Sequence, residues 1–369
     1  FEVFFKERAM IRRVLFGALL VLPAIFANAA DSNGLKEGKV ELKSAGALAF
    51  GPNGILFIGD STQATVFAID TKDSKQTDKS AINVKGIGAA IAGMLGVEES
   101  QILIADMAIN PISGNVYLSV ARGRGPDAQV LILRRGANGE VEELSLDLVA
   151  CAEAKLPNAP APGGTGRRNL RSQSITDLEF HGDRIFIAGL SNEEFASTLR
   201  SIPFPFKKVD KGISVEIFHG AHGRFETRSP VRTFTFYDIA KEAHILAAYT
   251  CTPLVKFPVS SLDVGEKVLG TTIAELGNRN RPLDMVAYQQ GGKDFILLSN
   301  SARGVMKIST SGIDRKDGIE EKISGTSGQS YETLKDLVGV MQLDRLDMKR
   351  AVVLIKDDSG QHLKTIDLP

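Results

Sequence analysis

Three aspartates recur at one place in a repeated pattern. Asp106, Asp177 and Asp284 each open an alternating apolar stretch, running to Ser119, Gly189 and Ser299 respectively. Carboxylates gathered at one point raise one another's pKa unless a cation neutralises them. A hard ion such as calcium does so through oxygen ligands, and Asn192 and Asn300, in neighbouring segments, can add amide oxygens. The alternative is that these aspartates cap turns by accepting backbone N–H bonds.

A second constellation is His219-Gly-Ala-His222-Gly-Arg-Phe-Glu226, which holds two of the five histidines. Gly220 and Ala221 let the chain turn, so both imidazoles can face one ion with Glu226 as a third ligand. Cys251 is expected on the same face, giving a His, His, Cys or a His, His, Glu site for zinc or copper. The spacing is not a diagnostic zinc pattern, and solvated histidines on a glycine-rich loop are the alternative. The two cysteines, Cys151 and Cys251, either pair across that face or stay as free thiols.

The elements that must position these residues are strands. Ala47 to Asp60 reads as a strand, a tight turn and a second apolar strand, followed by a third at Thr65 to Asp70. The pattern returns at Asp106, Asp177, Thr233, Asp284 and Met341, making six units. Self-similarity at a period of about fifty to seventy residues means blades or solenoid coils rather than a single sandwich, and the reading is an all-β, six-bladed propeller closed by an N-terminal strand, with residues 30–369 as a single domain. Lys39 to Lys43 is the expected closing strand, beside Met341 to Leu343. Helical periodicity is clearest over Ile87 to Leu95, a short insertion between units one and two.

This blade pattern, carried by Ala47 to Asp60 and its echoes, resembles the six-bladed propellers of the lactonase, strictosidine-synthase-like and NHL group. The resemblance implies a calcium at the axis, held by side chains from inner-strand starts, and only Asp106, Asp177 and Asp284 match that position. The other units carry Ala47, Thr233 and Val340, and the glutamate-and-asparagine pattern of the lactonases is missing. The leading expectation is an exported propeller that binds a small molecule or metal ion on its loop-rich face. One alternative is a metal-dependent lactonase or esterase, with His219 or His222 as general base. Another is a quinoprotein dehydrogenase, with Arg279, Arg281 and Arg303 holding an anionic quinone.

The rest of the chain bounds these readings. Met10 to Ala29 has the basic head, short apolar run and Ala27-Asn28-Ala29 end of a cleaved export signal, with residues 1–9 upstream of the start. A periplasmic or secreted protein follows, with no stable membrane insertion after cleavage and room for a protein partner. Charge is balanced at 44 basic and 44 acidic residues, which argues against a nucleic-acid binder. Ser191-Asn-Glu-Glu194 reads as a helix capping box, Gly86-Ile-Gly88 lacks the third glycine of a dinucleotide loop, and Arg167, Arg168 and Arg171 read as a solvated loop.

Overall fold

The computed structural model describes residues 34–369, apart from 126, 137, 138, 165, 167, 168, 252 and 263–266. The expected export signal, Met10 to Ala29, and Arg167 and Arg168 lie outside the described residues. Six sheets form the blades of a propeller, antiparallel but for Lys267–Leu269, which pairs in parallel with Ile213–His219. We number them I to VI by their inner strands: Leu48–Phe50, Ile102–Ile109, Asp177–His181, Val231–Ile239, Pro282–Gln290 and Val340–Arg345. The middle strands are the most deeply buried, and Ile55–Asp60 is buried throughout. Sheets covered on both faces call for such continuous apolar runs. Apolar clusters fill the seams: one joins Phe57 and Val66 of blade I to Ile185 and Ile187 of blade III.

The blades are not arranged in sequence order. A hydrogen bond crosses every seam: Asp106 to Leu48 (II to I), Ser61 to Ile175 (I to III), Asp177 to Phe234 (III to IV), Tyr237 to Asp294 (IV to V), Asp284 to Leu343 (V to VI) and Asp344 to Ile109 (VI to II). The ring therefore runs II, I, III, IV, V, VI. After Thr65–Asp70 the chain crosses to the far side of blade II before building it, then returns with Val149–Lys155 as the fourth strand of blade I.

That path also closes the ring. Asn83–Val84 pairs with Leu363 and Lys364 as the outer strand of blade VI, just ahead of the helix Ile87–Leu95, which lies where the periodicity places it. The expected pairing of Lys39 to Lys43 with Met341 to Leu343 is not formed. Instead Lys36–Gly38 pairs with Val149 to Cys151 at the edge of blade I, and Met341 to Leu343 lies within an inner strand, whose outer edge is three strands away. The N-terminal segment is tied down locally: Leu35 is buried, and Asp60 accepts the Lys43 and Ser44 N–H groups at 2.5 and 3.3 Å. Ser191 to Glu194 forms a bend rather than a helical turn; Ser191 Oγ accepts the Glu193 N–H at 3.3 Å, two residues on.

Candidate functional site: the axial channel and the rim hairpin

Inner strands of blades II, IV, V and VI each carry a bulge, between Ile104 and Asp106, Val231 and Thr233, Pro282 and Asp284, and Val340 and Gln342. A bulge re-aims the side chains that follow it. It also shifts the count along the strand. Asp177 is the first residue of its strand, as expected, whereas Asp106 and Asp284 follow a bulge inside theirs. The residue of blade VI at this level is consequently Gln342 and not Val340.

At this level the aspartates fall on alternate blades around the ring, II, III and V. Each reaches in the same direction to the next blade. One carboxylate oxygen of Asp106 accepts the Leu48 N–H at 2.7 Å, one of Asp177 the Phe234 N–H at 2.8 Å, and one of Asp284 the Leu343 N–H at 2.8 Å. The other oxygen of Asp177 and of Asp284 accepts the N–H of the following residue, both at 2.8 Å. A second tier lies two residues further along: Asp344 accepts the Ile109 N–H at 2.7 Å, and the Phe236 N–H favours the charged form of Glu179. Sequence reading missed both, although the alternation of Asp177 with Glu179 was visible and Asp344 was hidden by the bulge.

These five carboxyls line an axial channel of about 740 Å³. Phe50, Phe180, Phe234, Phe236, Tyr237 and Tyr288 line it too, and His181 stacks on Phe236 with ring centroids 4.1 Å apart. Asp238 and Asp294 add two more acids, against Arg345 and His181 as the basic side chains of the lining. The channel extends toward the ends of the inner strands, through His181, Gln289 and Met348. That is the face opposite the one on which the inner strands begin.

Enclosure by protein costs the charged form of each carboxyl its water, and the neighbouring charges add to that cost. Burial, then the Asp177 charge, pushes Asp106 up to about 8, against its two backbone N–H bonds. Burial pushes Asp177 up to about 7 and Asp344 to about 6. Asp284 and Glu179 are raised well above the usual range, by burial first and then by the surrounding aspartates.

The three-aspartate calcium chelate does not fit this geometry. Among the described residues, the group of three or more candidate ligands whose atoms come within 4.8 Å of one another is His219, His222 and Glu226. The axial aspartates are held apart by the backbone N–H groups that each one clasps.

The histidine constellation does assemble, on the turn between Ile213–His219 and Arg224–Glu226 at the outer rim of blade III. This strand pairs with Thr198 and Leu199 and runs on past Ser197, so its end lies on the face where inner strands begin. Glu226 accepts from His219 Nδ1 at 2.9 Å and from His222 Nδ1 at 2.6 Å. Burial works against its charge, yet the two imidazole bonds outweigh it and hold the carboxyl well below the usual range. Neither histidine lines the channel.

The remaining candidates are dispersed. Cys251, whose N–H donates to Asn280 O at 2.9 Å, lies in the blade IV turn outside the histidine cluster. Both cysteines are free thiols, on blades I and IV, with blade III between them. Asn192 is exposed, and its N–H donates to Asn158 O at 2.8 Å. Asn300 Oδ1 accepts the Ala302 and Arg303 N–H groups at 3.1 and 3.3 Å, a local turn bond, and Arg303 reaches Asn278 O at 3.1 Å.

No protein-family profile matches the chain, and no curated protein matches it by sequence. Among solved structures it is similar to a PQQ-bound aldose sugar dehydrogenase from Streptomyces coelicolor, at 12% identity and a TM-score of 0.38, over 90% of this chain and 97% of that one. It is also similar to the extracellular domains 1-2 of Drosophila semaphorin 1b, at 10% identity and 0.37, over 91% and 88%, and to an engineered GH43 glycoside hydrolase, at 11% and 0.38, over 73% and 51%. The propeller architecture rests on the sheet pairings themselves, and likeness at this level assigns no role.

Proposed function

We propose that this protein is a binding propeller whose axial channel takes a small organic cation. The observation that carries this reading is the channel lining: seven acidic residues against one arginine and one histidine. An ammonium ligand supplies the counter-charge that these carboxyls, raised first by burial, lack. A bare metal ion must pull carboxylates together, which here means breaking bonds that hold the blades to one another. An ammonium group donates to the lone pairs those bonds leave free. The lactonase-type reading takes His219 or His222 as its base, and neither lines the channel. Of the three arginines of the quinone reading, none lines the channel.

Calorimetric titration at pH 8 with 1,4-diaminobutane, tetramethylammonium, calcium chloride and an anionic control tests the reading. Binding of the ammonium compounds, weakened in Glu179→Gln and Asp344→Asn, is the expected outcome. Heat from calcium alone would return the channel to the calcium reading, and heat from none of the cations would end both. We also propose that the protein is exported after cleavage behind Ala29; N-terminal sequencing of the periplasmic or secreted protein should start at or near Ala30, and an intact leader would contradict this.

A further inference from the structure

We propose that the rim hairpin of blade III is a zinc site, with His219, His222 and Glu226 as ligands and Glu275 of blade IV supplying a further carboxylate. Ligand atoms of the first three lie within 4.8 Å of one another. The turn imposes this: the His222 and Gly223 N–H groups both donate to His219 O, at 3.0 and 2.8 Å. Winding the chain this tightly sets the two imidazoles 3.9 Å apart, centroid to centroid, over one carboxylate.

Glu275 comes from Thr271–Leu276 of the neighbouring blade. Its Oε1 accepts the Gly220 N–H at 2.5 Å. A side chain at Gly220 would place its Cβ 2.9 Å from both Cγ and Oε1 of Glu275, so glycine is what lets this carboxylate approach. Two independent observations then point to a ligand. His219 Nε2 and Glu275 Oε2 are both buried without a hydrogen-bond partner, in residues 2% and 1% exposed. Buried polar atoms are normally satisfied, and these two, in residues that meet at the Gly220 turn, keep bonding capacity that a ligand can use.

The donor set selects the ion. Two imidazoles and two carboxylates suit zinc, which takes nitrogen and oxygen ligands in a four-coordinate shell, better than calcium, which takes six to eight oxygens. Two carboxylates also balance the charge of one divalent ion. His222, with 44% of its side chain exposed against 3% for His219 and 10% for Glu226, gives the ion its way in. Bound there, zinc clasps the outer strands of blades III and IV, at a site apart from the axial channel.

The test is zinc titration of chelator-treated protein, with bound metal counted by elemental analysis and cobalt as a visible-absorbance probe of ligand geometry. One equivalent of zinc and a raised melting temperature are expected. His222→Ala should weaken binding roughly tenfold or more, while its melting temperature in chelator stays that of the parent; Glu275→Gln should weaken it also. His362→Ala, at a histidine on blade VI, should leave the stoichiometry unchanged. Absence of zinc binding, binding unchanged in His222→Ala, or binding lost equally in His362→Ala would overturn the proposal.

Discussion

One carboxylate oxygen of Asp284 accepts the Leu343 N–H at 2.8 Å, across the seam between blades V and VI, while the other accepts the Met285 N–H at the same distance. Both oxygens are thus acceptors, and asparagine offers one acceptor and one donor. Asp284→Asn leaves an amide NH2 facing a backbone N–H and should cost about 1–3 kcal/mol. A urea midpoint equal to the parent's would contradict this role. The same substitution would be nearly silent at an ordinary cap, which separates the seam bond from the capping reading that the sequence suggested.

Stability should fall as pH rises from about 5 to 9. The folded state holds Asp344, Asp177 and Asp106 at about 6, 7 and 8, all above their ordinary range. For an acid raised in this way the contribution to stability is fully present below the unfolded pKa and is lost as pH rises through the folded one. Melting temperatures taken across this range should decline, and Asp106→Asn should flatten the decline above pH 7. A profile that rises toward pH 9 would show that the channel carboxyls are compensated.

Leu35 is 1% exposed and packs in the cluster shared by blades I and III. Leu35→Ala should cost about 2–4 kcal/mol, visible in the urea midpoint. A shift under about 0.5 kcal/mol, the scale of surface substitutions, would mean that the N-terminal segment does not belong to the cooperative fold.

Cys151 and Cys251 belong to blades separated by a third, and both are free thiols. Thiol titration of the unreduced, denatured protein should count two groups. A count of zero would require the chain to bridge blades I and IV.

The six units, the helix at Ile87 to Leu95 and the three axial aspartates were legible because each rests on a local pattern: alternation, a turn, or a residue at a repeated offset. Ring order was not. It depends on Val149–Lys155 returning to blade I and on Asn83–Val84 reaching blade VI, pairings between distant segments that leave no periodic trace. Asp344 was hidden for a smaller reason: the bulge between Val340 and Gln342 moves the register, and counting from the apolar run puts the wrong residue at the axis. Glu275 approaches the histidine turn from another blade, its Oε1 accepting the Gly220 N–H, and only the packing of IV on III brings it there.

The central claim is that the channel carboxyls wait, partly protonated, for an organic cation. Calorimetry of 1,4-diaminobutane binding at pH 7.5, repeated in two buffers of different ionisation enthalpy, reads the protons that binding releases. The account predicts a clear release, because a cation in the channel lowers carboxyl pKa values that stand at about 6 to 8, and predicts that Asp106→Asn diminishes it. Binding with the same heat in both buffers, or no binding, would contradict it.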